Sequence, residues 1–227
     1  MTPSQPESTA TPDSRPRVRE FRSRPEGLHD LDTRTQIRGA SLQMILSRPG
    51  PLVVEIGCGV GLHPIRYASE FPEKNLIAIE RTGEKFARFA GRLDHHPSLH
   101  ARLAAVHADA IHFLDRELPN ASIDEAWILY PNPEIKKASQ RWFQMPFTAR
   151  LLELMKPGGR LFFATNIESY ANEVRELAPS FGLVSELDLK VSKETHPDFK
   201  TRTHFEKKYF ERGETLHSFE YIKKANP

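Results

Sequence analysis

The sequence predicts one α/β domain, a doubly wound and mostly parallel sheet of seven strands that ends in an antiparallel strand pair. Two observations predict the parallel part. Short apolar runs alternate with amphipathic stretches along most of the chain. The run Leu52 to Ile56 passes straight into a glycine-rich turn, Gly57-Cys58-Gly59-Val60-Gly61, which opens a helical pattern. A third observation predicts the closing pair: the last two strand-like runs have no long helical pattern between them.

The elements follow in order. Residues Met1 to about Arg17 are rich in Ser, Thr and Pro and carry almost no apolar side chain, so no packed structure is expected there. The boundary falls near residue 32, with a basic arm over 1–32 and the folded domain over 33–227. Ile37, Ala40, Leu42, Ile45 and Leu46 sit at roughly helical spacing and predict a helix from Thr33 to Leu46, stopped by Pro49-Gly50-Pro51. Leu52 to Ile56 is uniformly apolar apart from Glu55, as in a strand covered on both faces. Asn75 to Ile79 repeats that pattern and ends at Glu80, and Leu103 to His107 repeats it again and ends near Asp109. Helices are predicted from the glycine turn to Phe71, from Gly83 to Asp94 and from Ala110 to Leu118. Glu125 to Tyr130 is the fourth strand and runs into Pro131-Asn132-Pro133. A helix from Pro146 to Met155 precedes the turn at Pro157-Gly158-Gly159, and Arg160 to Thr165 is the fifth strand. A helix over Ser169 to Ala178 follows. Strands over Leu183 to Val191 and Leu216 to Ile222 then bracket a charged stretch read as irregular.

Composition narrows the function. The 227 residues are 38% hydrophobic with two Trp, enough for one ordinary core. The net charge of +2 conceals a cluster: Arg15, Arg17, Arg19, Arg22 and Arg24 stand against Glu20 alone. Such a cluster suits a polyanion, since each neutralised phosphate releases condensed counterions; a solvated tail has the same composition. A single cysteine, Cys58, excludes an internal disulfide and a multi-cysteine zinc cluster. His96 and His100 have helical metal spacing, but Pro97 lies between them, so no metal is expected. The Gly-x-Ser-x-Gly elbow of a serine hydrolase is absent. No apolar run reaches the ~18 residues of a membrane span, and the start lacks the apolar centre of a signal peptide, so a cytoplasmic location is expected.

Strand-end residues point to a nucleotide-like ligand. Glycines let the backbone approach a ligand that a side chain would repel. Glu80 stands where an acid bonds the two ribose hydroxyls, and Asp109 where one accepts from an adenine amino group. The order Glu55-Ile56-Gly57-Cys58-Gly59-Val60-Gly61, then Glu80, then Asp109, resembles the class I S-adenosylmethionine-dependent methyltransferases, whose fold is Rossmann-like. The resemblance implies that Glu55 helps to hold the methionine portion and that Gly57, Gly59, Glu80 and Asp109 complete the cofactor site.

Further motifs resemble one family, the tRNA (guanine-N7)-methyltransferases, over about Arg17 to Tyr221. They are the basic stretch Arg17 to Arg24, the loop Tyr130-Pro131-Asn132-Pro133, Phe163-Ala164-Thr165-Asn166, and Thr203-His204-Phe205-Glu206 followed by Gly213. The resemblance implies that Tyr130, Lys136, Asn166, Thr203 and Glu206 contact a guanine of tRNA. It implies that Asn132 and Asn166 stand at the catalytic positions. A Glu carboxylate accepts two hydrogen bonds from guanine N1–H and the exocyclic amine. The chain departs from the family at both catalytic positions, where the family carries aspartates. Guanine N7 needs no general base, but its product ring is cationic, and a nearby carboxylate would favour that charge. Two other readings stay open. An asparagine-proline loop also resembles enzymes that methylate exocyclic amines, on RNA or a small molecule. The third is an RNA-binding protein with little catalysis. Monomer and homodimer are equally compatible with the sequence.

Overall fold

A computed structural model describes residues 20–23, 35–133 and 137–225. The strands are β1 (Gln36–Gly39), β2 (Leu52–Ile56), β3 (Asn75–Glu80), β4 (Leu103–His107), β5 (Ile123–Leu129), β6 (Met155–Thr165), β7 (Leu183–Val191) and β8 (Leu216–Lys223). The helices are α1 (Leu42–Ser47), α2 (Leu62–Glu70), α3 (Gly83–Asp94), α4 (Ala110–Glu117), α5 (Phe147–Leu154), α6 (Glu168–Leu177) and α7 (His204–Glu211). The strands form one sheet in the order β1-β4-β3-β2-β5-β6-β8-β7. Its centre, β4-β3-β2-β5-β6, is parallel, while β1, β8 and β7 join antiparallel.

Alternation along the central strands explains why both faces must be covered. Val54, Ile77, Val106, Ile128 and Phe163 pack on one side against α1, α4, α5 and α6. Val53, Leu76, Ala105, Trp127 and Ala164 pack on the other against α2 and α3. All of β2 and all of β3 are buried, which is why they read as apolar runs broken only by Glu55 in β2 and by Asn75 and Glu80 at the ends of β3. From β2 the chain winds outward through β3 to β4, and later from β5 to β6 on the other side. The order therefore reverses between β2 and β5, which opens a crevice beyond their carboxyl ends.

Three expectations need correction. The segment read as one helix from Thr33 to Leu46 is instead β1 followed by α1. Gly39 adopts φ +85° there, and a Cβ on it would sit 2.4 Å from the Leu103 carbonyl oxygen, so β1 lies too close to the start of β4 for a helix. The sheet consequently has eight strands and not seven. The charged stretch before the last strand holds α7, capped by the Thr203 hydroxyl, which accepts from the Glu206 N–H at 3.0 Å. The antiparallel terminal pair lies where expected, with Leu183 opposite Lys223 and Val191 opposite Leu216. Among the described residues no helix is long and apolar enough to cross a membrane.

Candidate active site

The turn after β2 is a backbone construction. Gly57, Gly59 and Gly61 all have positive φ, at 74°, 62° and 80°. The N–H groups of Gly57 and Cys58 donate to the Ile79 carbonyl at 2.8 and 3.1 Å, which fastens the turn to the end of β3. A Cβ on Gly61 would lie 1.9 Å from the Phe89 ring, so this glycine lets α3 pack against the turn. At Gly57 and Gly59 a Cβ would meet nothing within 4 Å, so these two leave open space. Burial, with Glu55 and Glu80 beside it, pushes the Cys58 thiol well up, which favours its neutral form.

The space at Gly57 belongs to one chamber of a cleft, about 760 Å³. Gly57, Glu80, Asp109, Ile111, Trp142 and Phe147 are among its walls. Glu80 is 5% exposed, and its two oxygens accept from the N–H of Gly59 at 2.9 Å and of Thr82 at 2.7 Å. Each oxygen keeps a further lone pair for a hydroxyl donor. Asp109 caps α4 by accepting from the Ile111 N–H at 3.0 Å. Phe21 lies across this chamber with its ring edge-on to Phe147, centroids 5.4 Å apart.

A second chamber of about 450 Å³ adjoins the first and shares Ile56, Gly57, Glu80, Asn132 and Trp142 with it. Tyr130, Asn166, Lys85, Phe205 and Tyr209 also line it. Asn132 is exposed at the junction of the two chambers. The Asn166 amide donates to Glu214 Oε2 at 2.6 Å. Tyr130 is one of two non-glycine residues with positive φ among those described, at 53°. Two bonds hold it so: its N–H donates to the Ala164 carbonyl at 2.8 Å and its hydroxyl to Glu206 Oε1 at 2.9 Å.

Four of the expected ligand contacts, Glu55, Gly59, Thr203 and Glu206, are not among the walls of either chamber. The Glu55 carboxylate is 2% exposed, faces α2 and sits 2.8 Å from His63 Nδ1; it lines neither chamber. Glu206 is 0% exposed and also lines neither. Its oxygens receive the Arg202 backbone N–H, Arg202 Nε at 3.0 Å, Arg202 Nη2 at 2.5 Å and the Tyr130 hydroxyl. Burial pushes this carboxyl up, but the Arg202 hydrogen bonds and charge prevail and hold it below the usual range. Thr203 serves the cap of α7, so Thr203 and Glu206 form a relative of the capping box, in which the carboxylate reaches back to the Arg202 N–H. Gly59 acts through its bond to Glu80. Lys136, and Arg15, Arg17, Arg19 and Arg24 of the basic cluster, lie outside the described residues.

Sequence reasoning missed Phe205, Tyr209 and Lys85. A signal for the first two was present. Thr203-x-x-Glu206 is a helix-start pattern, and Phe205 within it lies one turn from Tyr209.

Residues 49–219 match the family profile described as "Putative methyltransferase". The chain belongs to this methyltransferase family. Among its relatives, a tRNA (guanine-N(7)-)-methyltransferase of Xanthomonas campestris pv. campestris strain 8004 is 33% identical over 169 residues, covering 73% of this chain and 63% of the relative. This methyltransferase thus spans slightly less than two thirds of that relative's length. A protein of the same name from Nitrosomonas europaea is 27% identical, with 81% of each chain covered. Among solved structures, the 16S rRNA methyltransferase KamB superposes with a TM-score of 0.60 at 15% identity, covering 81% of this chain and 92% of that one. At that identity the likeness concerns the fold.

Proposed function

We propose that this methyltransferase moves a methyl group from S-adenosylmethionine to N7 of a guanine in tRNA. The observation that carries the reading is the pair of chambers sharing Gly57, Glu80, Asn132 and Trp142, so that a donor in one faces an acceptor in the other. The residues of the first chamber fit the donor. Open space at Gly57 admits a ligand against the backbone, Glu80 offers lone pairs to ribose hydroxyls, and Asp109 stands at the end of β4 for an amino group. Gly59 orients Glu80. Glu55 acts at one remove, through His63 on α2.

The donor supplies an electrophilic methyl carbon on a sulfonium sulfur. The N7 lone pair forms the new N–C bond, the old C–S pair stays on sulfur, and no proton need leave. Positive charge therefore passes from the sulfonium to the purine. The protein's task is to align the two partners and exclude water. Tyr130, Asn132 and Asn166 wall the acceptor side, and Lys136 follows the same loop in sequence. Thr203 and Glu206 act by shaping α7 and holding Tyr130. The arm over 1–32, with its five arginines, engages tRNA phosphates ahead of the catalytic domain. The names of the relatives support the choice of substrate. A cytoplasmic location accords with a tRNA substrate.

The test is transfer of labelled methyl from S-adenosylmethionine to unmodified tRNA, with nucleosides resolved by mass spectrometry. Label in 7-methylguanosine is the expected result. Label in a nucleoside methylated on an exocyclic amine moves the target atom, as the Asn132-Pro133 loop would then require. Absence of label in RNA, with donor binding intact, removes the tRNA reading.

A further inference from the structure

The second chamber is an aromatic one. Tyr130, Trp142, Phe205 and Tyr209 reach it from three separate segments of the chain, and each ring is only partly buried. The core rings Phe89, Phe143, Phe147 and Phe163, by contrast, are fully buried. Phe205 and Tyr209 lie one turn apart on α7 with ring planes 23° apart and centroids at 6.3 Å, two tiles of one wall. Tyr130 continues that wall at 5.7 Å from Tyr209. Trp142 stands where the two chambers join.

The electrostatics of this chamber are unusual for the reaction proposed above. Among the described residues Glu80 is the one acid in its walls, and both its oxygens already receive backbone N–H bonds. Glu206 lies behind Tyr130 with Arg202 as its counter-charge. Asn132 and Asn166 are neutral. Yet methylation at N7 leaves a cationic purine in this space. A ring face carries negative quadrupole density and attracts a cation, more strongly where water is excluded. The chamber already shows this: the Lys85 ammonium lies 5.4 Å from the centre of the Phe205 ring.

Resting on the guanine-N7 reading, we propose that Trp142, Phe205, Tyr209 and Tyr130 form an aromatic cage selective for the cationic, 7-methylated purine. The cage stabilises charge arriving on the base, the task that carboxylates at positions 132 and 166 would otherwise share. Lys85 competes with the base for the same ring. The cage therefore favours the methylated product over the neutral substrate, and it contributes to the transition state in proportion to the charge developed there.

The test uses the full chain saturated with S-adenosylhomocysteine, with free nucleosides as probes at mildly acid pH, where 7-methylguanosine keeps its positive charge. Binding of 7-methylguanosine is compared with that of guanosine by calorimetry. The wild-type ratio is expected to favour the cation by roughly 2- to 30-fold. Phe205→Leu and Tyr209→Leu keep apolar bulk and remove the π face, and each should bring the ratio toward one. Lys85→Met should raise it. Unchanged melting temperature and S-adenosylhomocysteine affinity verify that the variants are folded. A ratio near one in the wild type, or a ratio unmoved by both leucine variants, overturns the cage and leaves charge-independent stacking. Failure of the underlying reading shows itself separately. If tRNA methylated by the wild type contains a nucleoside other than 7-methylguanosine, the guanine-N7 assignment falls whatever the ratio.

Discussion

The two chambers of the cleft share walls but are assembled in different ways. The donor chamber takes its main polar contacts from the ends of neighbouring parallel strands: Gly57 follows β2, Glu80 ends β3 and Asp109 follows β4. Parallel register alone brings them together, with Ile56 opposite Ile79 and Glu80 opposite His107. The acceptor chamber collects Tyr130 and Trp142 from the β5–α5 connection, Asn166 from the β6–α6 connection, and Phe205 and Tyr209 from α7, and no strand register sets their spacing. A buried ion pair does that work: Arg202 and Glu206 join the start of α7 to Tyr130 beyond β5. The first chamber is thus a property of the fold. The second depends on side chains that a relative can exchange one at a time.

The largest expected effect separates packing from binding within the glycine turn. Gly61→Ala puts a methyl 1.9 Å from the Phe89 ring at φ +80°, and the clash and backbone strain together should cost about 3–5 kcal/mol of stability. Gly57→Ala meets no protein atom within 4 Å, so it should cost only ~1–2 kcal/mol of left-handed strain. Its methyl projects into the open space of the cleft, and donor affinity should suffer instead. Thermal melts and titration with S-adenosylhomocysteine measure the two effects. Undiminished binding by folded Gly57→Ala would show that the donor does not lie against this backbone.

This division follows what the sequence discloses. Each strand of the donor side is a mostly apolar run because both of its faces are covered, and each run stops at or just before a residue of the chamber, so site and fold appear together. Glu55 reads like a ligand residue for the same reason, but strand alternation points it to the α2 face, where His63 receives it. Two segments outside those strands are less legible, β1 at the far edge of the donor side and α7 on the acceptor side. Strand β1 carries mostly exposed residues and is fixed by pairing with β4, a contact that no local pattern encodes. In α7 the burial of Phe210 and the cleft-facing rings is diluted by Lys207, Lys208 and Glu211, so the segment resembles a solvated loop. Glu206 illustrates the limit: the residue type suggests a base contact, and nothing in the local pattern discloses its interior location against Arg202 and Tyr130.

A second and smaller effect tests the ion pair that assembles the acceptor chamber. Glu206→Gln removes the charge that Arg202 and Tyr130 address, and it should cost about 1.5–3 kcal/mol, the range for a hydrogen bond to a charged group. The pH dependence follows from the direction of the shift. The folded-state pKa of Glu206 is depressed, so its contribution is present above the ordinary Glu value of about 4.3 and is lost as pH falls through the lower folded value. Denaturant melts across that acid range should show wild-type stability declining, with a shallower slope in the variant. Equal slopes would mean that the carboxylate is not held by Arg202. Acceptor binding should weaken with donor binding nearly unchanged, since the pair acts through Tyr130, which lines the second chamber and not the first.

The smallest stability effect distinguishes the two asparagines, which look equivalent in sequence and are placed differently. Asn166 donates its amide to Glu214 at 2.6 Å, and Asn166→Asp would set a carboxylate against that carboxylate. Loss of the bond, in a partly exposed setting, should cost about 1 kcal/mol at neutral pH. Glu214→Gln in the same chain should restore most of it, a coupling that a double-mutant cycle measures directly. Asn132 is exposed where the chambers meet, so the readout for Asn132→Asp is the rate of methyl transfer in the folded variant. That substitution places a negative charge beside the site of the arriving positive one, and methyl transfer to guanine should rise. A flat or lower rate in folded Asn132→Asp would show that the neutral junction does not limit the reaction. Recovery of rate from Asn166→Asp alone would instead place the charge-sensitive position on the Glu214 side. The asparagine at 166 is thus matched to a neighbouring acid, whereas the one at 132 stands at the junction of the two chambers.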